Sequence, residues 1–470
     1  MKKIIFYELN EVPEKILRIF AQQNPNSAVS QILKKGAFYE TKTTDTGHLS
    51  PWITWPTLHR GINNLEHCIS DLGQNLTGIN QRFPNYFDLL ANNGLDVGVF
   101  GSLHTYPLPE NYQDYSFYIP DTFASSPDTY PQMYQSFQSL NLSMVNKNGR
   151  NVHRNVPFRD ALSFLFKAPA LGITANTVGK ILNQLAKETT NKDMVVRRRT
   201  TQSQLSFDLF YKLLRKKTPA LSTFFTNHVA SSMHRYWPAT FPKDYADFCM
   251  PDAWNNRFKH EIWYTMQEAD QHLSKLLRFI HSNNDFMLIV ASSMGQAAVE
   301  ESYRVQNQLY LKHPEKLMRW LGINKKQWKQ HLAMEPCYVF NFVSAEITKK
   351  FLDFIHSLTV KGGKVGCSDL GANSVRIAFG QVNFDRAKDV VTAHGKSITL
   401  EDLGLEVVPI QDESGSYAYH IPEGVLLTYS NDPPPAQNEH TIPTTSIAPS
   451  ILQHFECAIP DYMGKPVVTF

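Results

Sequence analysis

Cysteine is scarce in this chain and never paired in sequence. Its five cysteines among 470 residues, Cys68, Cys249, Cys337, Cys367 and Cys457, are far apart and form no Cys-x-x-Cys. That pattern argues against a disulfide frame and a zinc knuckle, and it fits thiols held in a reducing compartment. Long apolar runs are missing as well, and none approaches the roughly 18 residues of a membrane span. The opening MKKIIFYELNEV carries two lysines, but Glu8 interrupts its apolar run after four residues. It is too short for a signal peptide and reads as a first strand. The expectation is a cytoplasmic protein with no transmembrane segment. Excess charge of either sign is also absent: 46 basic residues against 43 acidic ones leave +3, which gives no reason to expect a nucleic-acid partner. Two local basic runs, Arg197–Arg199 and Arg215–Lys217, read as solvated helix faces, with an anionic partner or membrane-surface patch as the alternative. There are no internal repeats or low-complexity tracts.

Apolar residues make up 42% of the chain, enough for a sizeable core. The organising stretches are Phe224–Pro238 (FFTNHVASSMHRYWP) and Asp285–Gln296 (DFMLIVASSMGQ). Each is an apolar run that breaks off into small and polar residues, as a buried parallel strand does when it delivers side chains at its carboxyl end. Around them the chain alternates. Strands are expected at Lys3–Tyr7, Ala37–Thr41, Leu95–Phe100, Ala220–Thr226, Phe286–Ala291 and Leu426–Tyr429. Helices are expected from Pro13 to Lys35, and at Tyr86–Asn93, Ala253–Ile280, Gln306–Lys329 and Ile447–His454. Ser50-Pro51 has the form of an N-cap followed by a first helical residue. This order implies a parallel α/β sheet. Phe158–Leu214 reads as a helical insertion, with Ala161–Ile173 (ALSFLFKAPALGI) packed on the body or, alternatively, against a membrane. Tyr338–Val343, Ala345–Leu358 and Ser374–Phe379 form a compact α+β unit, and Asn431–Gln437 a Pro-rich loop. Gly362-Gly363 reads as a turn.

In these segments the chain resembles the alkaline phosphatase superfamily, and within it the type I phosphodiesterase/nucleotide pyrophosphatase branch, with sulfatases more distant. Four signals carry the resemblance: a first strand ending at Glu8; Ser50–His67 (SPWITWPTLHRGINNLEH), similar to the nucleophile loop and helix; Ser292–Gly295 (SSMG), where the family has Ser-Asp-His-Gly; and a tail with His420, SIAPSILQHF and IPDYMGKPV. The resemblance implies an α/β fold with a mostly parallel sheet sandwiched by helices, a helical insertion at 131–218 and a small α+β subdomain at 306–414. The core would then comprise 1–130, 219–305 and 415–470.

The family's chemistry uses two divalent ions about 4 Å apart and a Thr or Ser nucleophile at a helix start. Carried over position by position, the resemblance gives Glu8 for the first Asp, Ala230 for the second and His234 for the first His. Ser293 and Met294 stand for the later Asp-His pair, and His420 for the last His. A two-metal site is therefore not expected. What remains is a single divalent ion, with zinc the expected one, on Glu8, His234 and His420. The nucleophile is Thr54 if Pro56 anchors the comparison, or Ser50 if Gly61 and His67 do. Asn10, His59, Arg60, His228, Ser292, Ser293 and Gln296 are expected to bind substrate. Trp52, Trp55 and Trp237 offer stacking faces or core packing, and Arg60 or Arg235 an anion clamp or an ion pair. The implied partner is a phosphorylated or sulfated small molecule, glycan or lipid headgroup. Three readings stay open: a phosphoric or sulfuric ester hydrolase or transferase, a pseudoenzyme that serves as a binding module, and a metal-independent enzyme using the His/Ser/Thr cluster.

Overall fold

The computed structural model describes residues 1–145, 168–331, 333, 336–432 and 441–470. These form two compact units. One comprises Met1–Met144, the described part of Arg154–Ser302, and Ser416–Phe470; the other is built on Tyr303–Gly415. Ala161–Lys167 of the apolar insert, and most of the Pro-rich loop, lie outside the described residues.

The first unit is organised by an eight-stranded sheet. Its strands are β1 (Lys3–Leu9), β2 (Ala37–Lys42), β3 (Val97–Phe100), β4 (Phe117–Ile119), β5 (Leu221–Thr226) and β6 (Phe286–Ser292). After a short β7 (Gly295–Ala298) and β8 (Ala418–Ile421), which pair with each other, come β9 (Glu423–Tyr429) and β10 (Ile442–Pro443). The order across the sheet is β10-β2-β9-β6-β1-β5-β3-β4. Every pairing is parallel except those of β9, which runs against both β6 and β2. The expected mostly parallel α/β sheet flanked by helices is what forms.

The central strand shows why. Ile4, Ile5, Phe6 and Tyr7 are wholly buried, because β1 is covered on both faces and hydrogen-bonded on both edges. Glu8 lies in register with Phe225 on one side and Ala291 on the other, so it still belongs to the sheet. Asn10 and Glu11 lie past its carboxyl end. Glu11 takes φ 58°, a left-handed turn that reverses the chain before Pro13.

Three helices position the site: α1 (Pro51–Arg60), α2 (His228–Thr240) and α3 (Glu261–His281). α1 starts at Ser50, whose hydroxyl accepts from the Trp52 N–H, and ends at Gly61 in the left-handed conformation. Trp52 through Arg60 are all buried, so this is a core helix without a solvent face. Both α1 and α2 contain a proline, which removes the bond to the carbonyl four residues back. Pro56 frees the Trp52 carbonyl, which accepts from His104 Nε2 at 2.8 Å. Pro238 frees the His234 carbonyl, which accepts from the Tyr417 N–H at 2.7 Å.

Several expected elements divide more finely. The Pro13–Lys35 stretch is two helices, Glu14–Gln23 and Ala28–Lys35, separated at Asn24-Pro25 because a residue before proline leaves the helical region. Ala253–Ile280 is Asp252–Phe258 followed by α3. The insertion gives helices Ala175–Thr190 and Arg198–Lys217. Arg197 and Arg198 are not simply solvated, since Arg197 forms a bidentate pair with Glu261 and Arg198 pairs with Glu188, whereas Arg215, Lys216 and Lys217 are exposed as a solvated face requires.

The second unit carries an antiparallel sheet in the order Gly366–Gly371, Ser374–Ala378, Cys337–Phe342, Trp328–His331. The helix Ala345–Ser357 buries Phe351, Phe354 and Ile355 in its core. Gln306–Lys329 is not one helix here. Asn307–Leu311 is a strand paired with Leu405–Pro409, and only Pro314–Trp320 is α-helical. Local periodicity gives way to strand pairing.

Candidate metal site

At the carboxyl edge of the first unit's sheet, two imidazoles meet one carboxylate. His234 Nε2 lies 3.0 Å from Glu11 Oε2, and His420 Nε2 lies 3.3 Å from the same oxygen. Their ligand atoms all fall within 4.8 Å of one another. Each histidine is oriented through its other nitrogen: His234 Nδ1 donates to the Ala418 carbonyl at 2.6 Å and His420 Nδ1 to the Leu49 carbonyl at 2.7 Å. Because a carbonyl can only accept, both Nδ1 atoms carry hydrogen. Two neutral rings would therefore aim two Nε2 lone pairs at a carboxylate oxygen. That convergence of acceptors requires protons or a cation between them, and a carbonyl behind each ligating histidine is the usual supporting arrangement.

The surroundings favour negative charge on Glu11. Burial pushes its carboxyl up, but His420 and His234 outweigh this and hold it well below the ordinary value. For His420 burial acts downward, while Glu11 and the Leu49 carbonyl raise it. The Asn10 amide donates to Glu11 Oε1 at 2.8 Å and to Asn227 Oδ1 at 2.7 Å, and its own oxygen accepts from Trp55 Nε1 at 2.7 Å. Gln296 donates to Glu11 Oε2. Cross-strand pairing explains its presence, since Gln296 on β7 lies opposite His420 on β8. Gly295 lets this ribbon dock, because a Cβ there would strike the Glu423 carbonyl oxygen. Two imidazoles and a carboxylate form a zinc-type donor set, one ligand short of a closed tetrahedral site.

The carboxylate between the histidines is thus Glu11 and not Glu8, which turns into the core. Glu8 Oε1 lies 2.7 Å from His59 Nε2, with both side chains essentially inaccessible. His59 is accordingly a buried partner of Glu8, enclosed by Trp55, Tyr86 and Phe87, and offers no surface to a substrate.

Other expected contact residues are also spent inside the fold. Arg60 is buried, donates to Asn80 Oδ1 at 2.6 Å, and is lowered to about 10 by burial despite nearby Asp88. His228 bonds Thr226 Oγ1 and the Thr265 carbonyl, and burial lowers it to about 4. The Ser292 hydroxyl donates to the Val12 carbonyl and accepts from the Val425 N–H, both at 3.0 Å. Trp52, Trp55 and Trp237 are core residues. Of the residues expected to bind substrate, Asn10 and Gln296 stand beside the cluster.

The two candidate nucleophiles have separate roles. Ser50 caps α1. The Thr54 hydroxyl shares a 2.8 Å hydrogen bond with Ser293 Oγ, and neither residue has accessible surface. In this arrangement the Thr54 oxygen has no open side for attack.

Sheet and cluster together define a parallel-sheet α/β protein with a two-histidine, one-carboxylate centre at the carboxyl edge of its strands. Comparison of the sequence with family models and with curated proteins yields no match. Among solved structures the chain is similar to murine ectonucleotide pyrophosphatase/phosphodiesterase 5, in a complex with AMP (11% identity, TM-score 0.40, 98% of this chain and 96% of that one). It is also similar to phosphonoacetate hydrolase from Sinorhizobium meliloti (14%, 0.40, 95% and 94%). A third is the alkaline phosphatase PafA (10%, 0.46, 99% and 98%). No helix among the described residues is long and apolar enough to cross a membrane.

Proposed function

We propose that this chain is a remodelled member of the alkaline phosphatase superfamily, on its phosphodiesterase/nucleotide pyrophosphatase side. In this reading it hydrolyses a phosphoric ester with the help of one divalent cation, zinc by donor type. The observation that carries the reading is the convergence of His234 Nε2 and His420 Nε2 on Glu11 Oε2, each ring fixed by a backbone carbonyl. A divalent ion held there would act as a Lewis acid toward a phosphoryl oxygen. The residues themselves supply orientation and charge: Glu11 is kept anionic, Asn10 and Gln296 hold its two oxygens, and the His234 ring is partly accessible to solvent.

The test is metal content and metal-dependent stability of the purified chain. Saturating zinc at a hundred times the dissociation constant should stabilise the fold by about 2.7 kcal/mol, and His234→Ala or His420→Ala should remove both the ion and the effect. Hydrolysis of p-nitrophenyl phosphodiesters and monoesters should follow the same dependence. A chain that retains no zinc, manganese or cobalt under these conditions would refute the reading.

The sealed Thr54–Ser293 pair favours a second reading, a binding module of the same fold without turnover. Metal binding that depends on His234 with no ester hydrolysis would select it.

A further inference from the structure

The Thr43–Ser50 loop reaches the cluster twice. Its Leu49 carbonyl holds His420 Nδ1, and the preceding residue, His48, places its ring on the solvent side of the same histidine. The His48 and His420 ring centroids are 6.4 Å apart, and His48 Nε2 is 3.5 Å from the Tyr419 hydroxyl. Tyr419 also lies against His234, at 5.7 Å. His234 and His420 are themselves separated by 5.3 Å, close to the about 5 Å expected for two imidazoles on one tetrahedral zinc. His48 stands 1.1 Å farther from His420 than His234 does (6.4 less 5.3).

The loop allows that gap to close. Its base is fixed: the Thr43 N–H donates to the Pro422 carbonyl at 3.0 Å, and Asp45 accepts from Thr57 and from the Asn64 N–H. Its tip is exposed. Gly47, next to His48, adopts φ +81° with no atom within 4 Å of where a Cβ would stand. A rotation at Gly47 meets no steric bar at Gly47 itself, and moving the His48 ring onto the cation would exchange its contact with Tyr419 for the metal.

We propose that His48 is a fourth, displaceable protein ligand of the cation held by Glu11, His234 and His420. It would close the site from the solvent side until an oxyanion of the substrate takes its place. The inference rests on the metal reading above, and its test separates the two. The full-length chain, stripped of metal, is titrated with zinc and with cobalt(II) as wild type, His48→Ala, His48→Gln and His234→Ala. The wild type should show the intense visible bands of tetrahedral cobalt. Both His48 variants should bind zinc at least about tenfold more weakly and lose band intensity as water replaces the imidazole. Inorganic phosphate should bleach the wild-type bands and change those of His48→Ala little. Unchanged zinc affinity and an unchanged cobalt spectrum in His48→Ala, with binding still abolished in His234→Ala, would overturn this inference alone. No metal binding by the wild type, or binding that survives in His234→Ala, would remove the metal reading with it. His48 is exposed, so its replacement leaves the core packing intact.

Discussion

Two glutamates three residues apart meet different fates. Glu8 belongs to the sheet and faces a histidine in a dry interior; Glu11 has passed the strand end and faces two histidines at the rim. Removing one member of a buried pair strands the other, which costs about 3–5 kcal/mol. His59→Ala should therefore lower unfolding stability by that amount in denaturant titrations and leave metal stoichiometry unchanged. Glu11→Gln should do the reverse, abolishing metal retention with a smaller effect on the apo fold. A second residue-level contrast concerns Thr54. If its hydroxyl serves packing, Thr54→Val strands Ser293 Oγ and costs about 1–3 kcal/mol, with ester hydrolysis per folded molecule unaltered. Lost turnover at full stability would instead reinstate Thr54 as the nucleophile.

At the level of elements, Pro238 sets how His234 is held. Without an N–H at that position, the His234 carbonyl is available to Tyr417, and the adjacent Ala418 carbonyl then receives the His234 ring. Pro238→Ala supplies a competing N–H inside α2. It should weaken zinc binding by about tenfold, the scale of a lost supporting interaction, as read by calorimetric titration. The same scale shows what the chain makes legible before folding. Strands β1 and β6 stand out because buried parallel strands are short, nearly unbroken apolar runs, and β2 by its alternation of buried and part-exposed residues. His234 and His420 are legible through motif position, one after a strand end and the other before the closing segment. Glu11 is not, because its place depends on a left-handed turn that a non-glycine residue rarely adopts. The nearest signal is the ELNEVP segment itself: a second acid just beyond the first strand and two residues before a proline. Burial of Arg60, His59 and His228 is equally invisible from spacing, since a helix or strand end covered on all sides looks locally like one that is exposed.

At the scale of the whole molecule, the histidines of the first unit include a rim group and a buried group. His228 is lowered to about 4 and His67 to about 3, by burial first and, for His67, by Arg60 and His104 next. A histidine with a depressed folded value binds its proton more readily when unfolded. Stability therefore falls as pH drops below the ordinary 6.5 and stops falling near the folded value. For His228 the window runs from 6.5 down to about 4 and corresponds to about 3 kcal/mol. Denaturant midpoints between pH 7 and pH 4.5 should decline accordingly, and His228→Gln should flatten part of that decline. The placement of β9 has a temporal consequence. This strand is wedged between β6 and β2, although it is made long after both, and His420 immediately precedes it. Until β9 is made, β6 has one unpaired edge and β2 has two, the kind of exposed strand edge that makes a folding intermediate prone to aggregation. The cluster can assemble only when this late segment joins the sheet, so in the metal reading a bound cation would report that β9 is in place.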